Sequence, residues 1–364
     1  MIAKLQEIET EINHNLSQQI GRYNINPSEI PRDLVTQSVK QRAEGLKEDL
    51  KKRLEAEYFS EGPLVELIKD ESITEIIVNS FDSIHYEKNG KWYTCEDQFF
   101  SDRTYTNFLN RLYSEAGIQI HRKQLFNTNK WKNFRLHVSS PLITESTCIS
   151  LRRHPESSWN FKQLLDLEWC GDFELETILD IIQSKENFLV IGPTGSGKTS
   201  VLNACLQEVK NERCVLLEDT SELKTPNDLS IKMLTLESVD ESKTKSVDLQ
   251  DLVKQSLRMR PDRLVMGEIR GAEAKDLLMC LATGHAGSMG SIHASNATES
   301  LLRLEMLIQL GAPHWNIESV RKLIMLSLRY LIVVSKDQEG KRRLNSIHKI
   351  VSLEKYGLIL QKVI

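Results

Sequence analysis

The sequence predicts an α/β chain with two domains, and three observations support this fold class. A glycine-rich run, GPTGSGKT at 192–199, follows a short apolar stretch and precedes a helical pattern. After residue 171, short apolar runs alternate with amphipathic helical patterns, as in a parallel sheet covered by helices. Between 58 and 155, strand and hairpin signals dominate, which indicates a smaller α+β domain.

Composition limits the class of protein. The chain has 364 residues, of which 27% are charged and 40% hydrophobic, as in globular proteins. Its net charge of -4 argues against a protein that mainly coats nucleic acid. It has no apolar run near the roughly 20 residues that cross a bilayer, and its first residues turn polar too early for a secretion signal. The six cysteines are scattered without a Cys-x-x-Cys pair, so we expect a cytoplasmic protein with reduced thiols.

Residues 1–57 are expected to form a helical extension, which Pro27 and Pro31 break into short helices. Its apolar positions recur at helical spacing. They are Leu34, Val39, Leu46, Leu50 and Leu54. We expect a solvated arm or an oligomerisation element that has no catalytic role.

The α+β domain is predicted over 58–155. Its expected strands and helix are listed in chain order: strands at 73–79 and 83–87, a hairpin turn at 88–91, a helix near 105–116, and strands at 134–138 and 147–151. A connecting segment over 156–170 follows. The remaining domain, 171–364, has apolar runs at 188–191, 214–217 and 264–266, which predict buried parallel strands. Leu249, Leu252, Val253 and Leu257 share one face of a helix between them.

The run at 192–199 is the strongest chemical signal. Its glycines, Gly192, Gly195 and Gly197, allow backbone N–H groups to turn inward around phosphate oxygens. The following helix N-terminus adds its positive dipole end. We expect Lys198 to reach the β- and γ-phosphates of ATP, and the hydroxyl of Thr199 to bind Mg²⁺. The full set expected to contact nucleotide is Gly192, Pro193, Thr194, Gly195, Ser196, Gly197, Lys198, Thr199 and Ser200.

Two acidic positions end the next apolar runs. Glu268 follows the run at 264–266, at the strand end where ligands bind in open parallel sheets. It is a candidate to hold the magnesium ion through water, or to position the attacking water; the alternative is an ordinary strand cap. Glu218, with Asp219 and Glu222, follows the run at 214–217. Glu218 is a candidate general base, with a turn-capping acid as the alternative.

Two histidines, His285 and His293, lie among small residues near a further strand. Both are candidates to sense the γ-phosphate. A lone histidine is more often a structural residue, so the sequence by itself leaves open whether these histidines sense phosphate or are structural.

Four motifs in this order resemble those of the type II/IV secretion ATPase superfamily. They are GPTGSGKT at 192–199, LEDTSEL at 217–223, LRMRPDR at 257–263 with GEIRG at 267–271, and the segment from Gly284 to Asn296. Upstream, GPL at 62–64 and SITEIIVN at 72–79 are most similar to the CpaF/TadA branch, the ATPases of Tad (type IVb) pili. The resemblance covers about 60–350 and implies a RecA-like ATPase domain with a PAS-like α+β domain before it.

The resemblance also implies roles for individual residues. Glu218 matches the acid of the Asp box, Glu268 the acid of Walker B, and His285 and His293 the His box. Arg135 and Arg152 match arginines that the family's N-terminal domain supplies to the phosphates. Three more arginines match family positions and are expected near a subunit boundary: Arg258, Arg260 and Arg270.

The same resemblance implies a ring, expected to be a homo-hexamer, in which ATP hydrolysis with Mg²⁺ becomes interdomain motion. The motion would act on an inner-membrane platform protein, with the ring peripheral to the inner face of that membrane. The process is assembly or retraction of a Tad-type pilus, or type II/IV secretion. Alternatives are a type IV secretion channel ATPase for protein or DNA, a RecA-like nucleic-acid motor, and a nucleotide-binding scaffold without turnover. We expect no direct contact with nucleic acid.

Overall fold

The computed structural model describes residues 2–23, 32–120, 124–153, 159–236, 246–337 and 339–364. The chain folds into two compact units, Met1–Pro155 and Glu156–Ile364. Within the described residues, no helix has the length and apolar character needed to span a membrane.

The first unit begins with three helices, α1 (Ile2–Tyr23), α2 (Arg32–Ala43) and α3 (Glu48–Phe59). Their apolar positions pack into one cluster, because spacings of three, four and seven residues place them on one helix face. The buried members are Leu5, Ile12, Leu16, Val39, Ala43, Leu54 and Phe100, with Leu34, Leu46 and Leu50 packed against them. All five apolar positions expected on the helical face therefore belong to this cluster. The first helix has 22 residues and is longer than expected; Pro27 and Pro31 lie outside the described residues.

An antiparallel six-stranded sheet follows, in the order β3-β2-β1-β6-β5-β4. Its strands are β1 (Ile73–Ser80), β2 (Ser83–Lys88), β3 (Lys91–Thr94), β4 (Phe126–Trp131), β5 (Phe134–Ser139) and β6 (Cys148–Arg153). The short helix α4 (Val65–Lys69) precedes it. Helix α5 (Asp102–Ala116) begins at a Ser101–Thr104 capping box and ends at Gly117, whose φ of 64° suits glycine.

All the strands predicted for this unit are present. Strand β4 was not predicted because its sequence, FNTNKW, is polar and its side chains are mostly exposed, so the apolar alternation that marks a half-buried strand is missing.

The second unit contains an eight-stranded sheet in the order β14-β13-β12-β7-β11-β10-β8-β9. The strands are β7 (Phe188–Ile191), β8 (Cys214–Glu218), β9 (Ile231–Leu234), β10 (Arg263–Ile269), β11 (Met289–Ile292), β12 (Tyr330–Lys336), β13 (Arg342–Glu354) and β14 (Gly357–Lys362). Strands β7 to β12 pair in parallel, while β13 and β14 are antiparallel additions at one edge.

Among its described residues, this unit also has seven α-helices. They are α6 (Phe161–Asp166), α7 (Asp172–Gln183), α8 (Lys198–Gln207), α9 (Leu249–Ser256), α10 (Glu273–Ala282), α11 (Ala297–Gly311) and α12 (Ile317–Ser327). They pack in two clusters that share the strands, one with α9 to α12 and one with α6 to α8. The three predicted apolar strands are confirmed, because both faces of each are covered and all their apolar residues are buried.

The segment expected to connect the domains, 156–170, is largely packed. Residues 156–158 lie outside the described residues. Phe161, Leu164 and Trp169 are buried in the core of the second unit, where α6 begins at a capping box between Asn160 and Gln163. The sequence did not predict this packing, because Pro155 and the serines at 157 and 158 hid the spacing of the apolar residues that follow. The domain boundaries themselves stay a prediction.

Candidate active site

The glycine-rich loop lies between β7 and α8, as its strand-then-helix context predicts. Gly195 and Gly197 have φ values of 74° and 92°, a region that residues with a Cβ rarely adopt. At Gly192, an added Cβ would lie 2.5 Å from both the Ser196 hydroxyl oxygen and the Val334 carbonyl oxygen. The loop therefore requires glycine at these positions, and its amide groups lead directly into the N-terminus of α8.

The side chain of Lys198 is buried against this loop. Its Nζ donates to the carbonyl oxygens of Gly192 at 3.0 Å and Pro193 at 3.1 Å. Its third near contact is Nδ1 of His293, also at 3.1 Å. An ammonium has only donors, so Nδ1 accepts and the ring proton of a neutral His293 is on Nε2. Lys198 and His293 are thus joined, as expected for residues that serve one ligand.

His293 connects the loop to the acid at the end of β10. Its Nε2 lies 3.0 Å from Oε1 of Glu268, and the tautomer above makes it the donor. The other carboxylate oxygen, Oε2, accepts from Nη2 of Arg270 at 2.6 Å. Nη1 of Arg270 lies 3.6 Å from Asp219. The result is a continuous chain of polar contacts from the phosphate loop to the ends of β10 and β8.

The electrostatics of this chain favour an ionised acid and a neutral histidine. Burial alone would raise the pKa of Glu268, but the hydrogen bond and charge of Arg270, with His293 and Lys198, lower it below its usual value. For His293, burial and the Lys198 charge lower the pKa, although Glu268 opposes them. A neutral histidine held between a cation and an anion can transmit a change at Lys198 to Glu268.

Glu218 ends β8 at the same edge of the sheet and is buried. Its Oε1 accepts from the backbone N–H groups of Glu222 at 3.0 Å and Leu223 at 2.9 Å. Its Oε2 has no hydrogen-bond partner; the nearest cation, Nζ of Lys232, is 3.8 Å away. Burial raises the pKa of Glu218 to about 7, although the two amides and Lys232 oppose the shift. A carboxyl group with that pKa, one oxygen of it uncommitted, has the properties of a general base at neutral pH.

An acidic oxygen suited to magnesium lies beside Thr199. Its hydroxyl donates to Oε2 of Glu222 at 3.1 Å, and the uncommitted Oε2 of Glu218 belongs to the same acidic segment. In the described part of the chain, no group of three or more acidic, histidine or cysteine side chains could hold a metal alone. Mg²⁺ is usually held by one or two protein oxygens together with phosphates and water, so this set fits that ion.

Two cavities of the second unit lie beside the phosphate loop. One, of about 490 Å³, is lined by Trp159, Trp169, Gly197, Ser200, Val201 and Arg342, among others. Its size and its aromatic wall suit a small organic ligand. The other, of about 1240 Å³, opens beside Pro193, Thr194 and His293. Of the residues expected to contact nucleotide, Ser196, Gly197 and Ser200 line the first cavity, and Pro193 and Thr194 line the second. The buried hydroxyl of Ser196 donates to the Pro193 carbonyl oxygen at 2.8 Å.

The other predicted histidine, His285, lies elsewhere. It precedes β11, whereas His293 follows it, and a parallel strand of four residues is about 13 Å long. Nδ1 of His285 contacts the carbonyl oxygen of Cys280, at the end of α10, at 3.0 Å. The strand between the two histidines separates them along the sheet, so His285 is not beside Lys198 as His293 is; its assignment as a γ-phosphate sensor stays a prediction.

The two predicted arginines of the first unit are neighbours. Arg135 of β5 and Arg152 of β6 are paired across the antiparallel ladder, with Lys130 of β4 on one side and Glu75 of β1 on the other. Residues directly opposite one another share a face of the sheet. The row therefore places three cations side by side, with the acidic Glu75 next to Arg152 at one end.

The sequence did not predict where in the site two residues, Arg270 and Arg342, would lie. Arg270 binds Glu268, and its spacing of two residues from that acid along an extended strand is the signal that predicts a shared face. Its expected place near a subunit boundary stays a prediction. Arg342 contacts the phosphate loop from β13. It is 147 positions away in sequence, and no local pattern predicts the contact.

Fold and site together define a P-loop ATPase: a parallel sheet with the phosphate loop, a buried lysine and two acids at the carboxyl ends of its strands. A family model described as "Type II/IV secretion system protein" matches residues 57–336. The chain belongs to this family.

Individual relatives agree with this assignment. A Mycobacterium tuberculosis protein with a provisional conjugal-transfer name is 31% identical over 307 residues, covering 81% of this chain and 85% of its own. Among solved structures, the Legionella pneumophila ATPase DotB is similar with a TM-score of 0.56 at 18% identity, covering 77% of each chain. The pilus retraction motor PilT with bound ADP gives 0.55 at 18% identity, covering 82% of this chain and 81% of its own. These two structures support the fold.

Proposed function

We propose that this ATPase is the motor of a secretion or pilus-assembly machine, and that hydrolysis takes place at the loop 192–199. The observation that carries the proposal is the chain of contacts from Lys198 through His293 to Glu268 and Arg270. It links the group that would bind the terminal phosphates to an ionised acid on a different strand.

Each residue of the site has its own role in the proposed binding and hydrolysis of ATP. Lys198 leaves the two loop carbonyl oxygens to bind the β- and γ-phosphates, while the amides of the loop and of the first turn of α8 hold phosphate oxygens. The nucleobase and ribose occupy the cavity lined by Trp159 and Ser200. Glu218, ionised in part near neutral pH, takes a proton from the attacking water. Glu268 orients that water, and His293 senses whether Lys198 is engaged with phosphate.

Thr199, with Glu268 and Glu222 acting through water, would hold Mg²⁺. When bound, this ion neutralises phosphate charge during in-line attack. Arg135 and Arg152 are proposed to add positive charge at the phosphates late in the reaction. Their adjacency across β5 and β6 supports a role in binding an anion. His285 has no part in this proposal.

The proposal for the whole particle rests on the resemblance of the motifs. It is a homo-hexameric ring of two-domain subunits, divided near 58, 156 and 171, in the cytoplasm at the inner face of the inner membrane. Its partner is an inner-membrane platform protein. We place it in the CpaF/TadA branch because of the upstream segments at 62–64 and 72–79. A type IV secretion channel ATPase is the second candidate, favoured by the provisional conjugal-transfer name of the Mycobacterium tuberculosis relative.

A phosphate-release assay on the purified chain tests the catalytic part. Lys198→Ala and Glu268→Ala should each lower turnover by about 100-fold or more, since groups that stabilise transition-state charge have effects of this size. Lys210→Ala, which removes an exposed lysine of the same unit, is the matched control and should retain activity. If Lys198→Ala or Glu268→Ala kept full activity, the assignment of the site would be wrong.

The mass of the particle tests the ring. With a non-hydrolysable ATP analogue, six copies of the 41.8 kDa chain give about 250 kDa, and a monomer under those conditions would contradict the proposal. Stimulation of hydrolysis by DNA, with steep salt dependence, would instead indicate a nucleic-acid motor. Tight nucleotide binding without phosphate release would indicate a scaffold.

A further inference from the structure

The start of β13 lies directly against the phosphate loop. Nε of Arg342 donates a hydrogen bond to the carbonyl oxygen of Gly195 at 2.8 Å. The aliphatic part of the same side chain covers Gly197: a Cβ added there would lie 3.2 Å from Cδ of Arg342. One arginine thus contacts both glycines of the loop that have positive φ values.

Arg342 is held at this place by its neighbours in sequence. The carboxylate of Asp337 accepts from the backbone N–H of Lys341 at 2.8 Å. Lys341 forms an ion pair with Glu168. The backbone N–H of Leu344 donates to the carbonyl oxygen of Trp169 at 2.8 Å. Residues on both sides of Arg342 are therefore fixed to the body of the unit, so the arginine approaches the loop from a stable base.

The contact determines the direction of a peptide group. In a trans peptide the C=O and the following N–H point in opposite directions. Because Arg342 holds the Gly195 carbonyl on the outer side of the loop, the N–H of Ser196 points to the inner side. There it lies 3.3 Å from the carbonyl oxygen of Pro193, which also accepts from Lys198. The inner side is where phosphate oxygens would bind.

We propose that Arg342 is a positioning residue that keeps the phosphate loop in its anion-binding conformation. This role rests on the proposed function, in which the loop binds nucleotide phosphates. Arg342 lies beyond the family match, which ends at residue 336, and outside all four sequence motifs. Arg342 also lines the cavity proposed for the base and ribose, so a ligand without base and sugar, inorganic tripolyphosphate, isolates its effect on the loop.

Replacing the side chain can separate its hydrogen bond from its charge. Arg342→Gln keeps an N–H donor at the position of Nε without the charge, whereas Arg342→Met keeps the apolar stem and loses the donor. Displacement of a fluorescent ADP analogue from the purified chain measures the affinities for ATP, ADP and inorganic tripolyphosphate. We expect Arg342→Met to weaken all three by about fivefold, the value of one such hydrogen bond. Arg342→Gln should stay within about twofold of the wild type.

Arg343→Met is the matched control, since Nε of Arg343 is 4.0 Å from the carboxylate of Asp337 and this contact is its only ion pair among the described residues. It should bind as the wild type does. Steady-state hydrolysis should show the same division, with KM for ATP raised in Arg342→Met and kcat close to the wild-type value.

Three results would overturn the proposal. Arg342→Met could bind all three ligands normally. It could lose affinity for ATP and ADP alone, which would mean that the arginine touches the base or sugar. Arg342→Gln could bind the ligands as weakly as Arg342→Met, which would mean that the charge of Arg342, and not its hydrogen bond, determines the affinity. In each of these cases the wild-type chain still binds ATP. A wild-type chain that does not bind ATP would contradict the proposed function itself.

Discussion

The buried carboxyl group of Glu218 should make the stability of the ATPase unit depend on pH. Its pKa is raised from 4.5 to about 7 in the folded protein because burial penalises the charged form. The folded state therefore binds more protons than the unfolded state between these two values, and stability falls as pH rises through this window. Above about pH 7 the full cost is present, and below about pH 4.5 it is absent.

Glu218→Gln removes this dependence. The amide oxygen can still accept from the backbone N–H groups of Glu222 and Leu223, while the side chain stays neutral. A pKa difference of about 2.5 units corresponds to about 3 kcal/mol, so the variant should be more stable than the wild type by up to that amount at pH 8. At pH 4.5 the two should be equal. For a unit of 209 residues, the difference at pH 8 corresponds to roughly 10 °C in Tm.

Thermal unfolding of both proteins from pH 4.5 to 8 measures this effect. Asp219→Asn is the matched control, because it makes the same change of charge at the neighbouring, partly exposed position. The same Glu218→Gln protein should lose turnover by about 100-fold or more, since it lacks the general base. The wild-type kcat should rise with pH through about 7 as the base ionises. A difference in Tm that is equal at pH 4.5 and pH 8 would refute the reasoning, as would a Glu218→Gln enzyme with normal turnover.

Further predictions concern the neighbouring groups. Arg270→Gln should raise the pKa of Glu268, whose hydrogen bond to that arginine now lowers it; an NMR titration of the Glu268 carboxyl group measures the shift, and an unchanged pKa would contradict this. His293→Ala should lower kcat by about tenfold or more, measured by phosphate release, and a change of less than twofold would remove His293 from the mechanism. His285→Ala should leave kcat within about twofold but cost about 1 kcal/mol of stability through the lost contact with Cys280; a large loss of kcat would return His285 to the site.

Much of the candidate site could be predicted from the sequence because its signals are local. The phosphate loop carries its own glycines, lysine and threonine within eight residues, and the strand before it is apolar throughout. Glu218 and Glu268 follow apolar strands, and the carboxyl ends of parallel strands meet at one edge of a sheet. His293 follows another such strand. The order of strands and helices, which the hydrophobic pattern predicts, is enough to place the loop, Glu218, Glu268 and His293 at this edge of the sheet.

Other parts depended on distant contacts or lacked a pattern. Strand β4 has too few apolar residues to be recognised, and it forms because β5 provides a pairing edge. The segment with Phe161 and Trp169 packs into a core built by strands that come later in the chain. His285 was grouped with His293 because they are close in sequence, but an extended strand moves them apart.

By itself, the sequence determined the nucleotide-binding loop, the acids that accompany it, the α/β class of the second unit and the resemblance to the secretion ATPases. The first three follow from short-range spacing, through periodicity and turn chemistry, whereas the resemblance rests on four motifs that occur in the family's order. Only the tertiary structure decided that His293 joins Lys198 to Glu268, that Glu218 is buried with one oxygen uncommitted, and that Arg342 contacts the loop. The physical reason is that burial, pKa shifts and contacts across 147 positions arise when strands are brought side by side, and no local pattern encodes them.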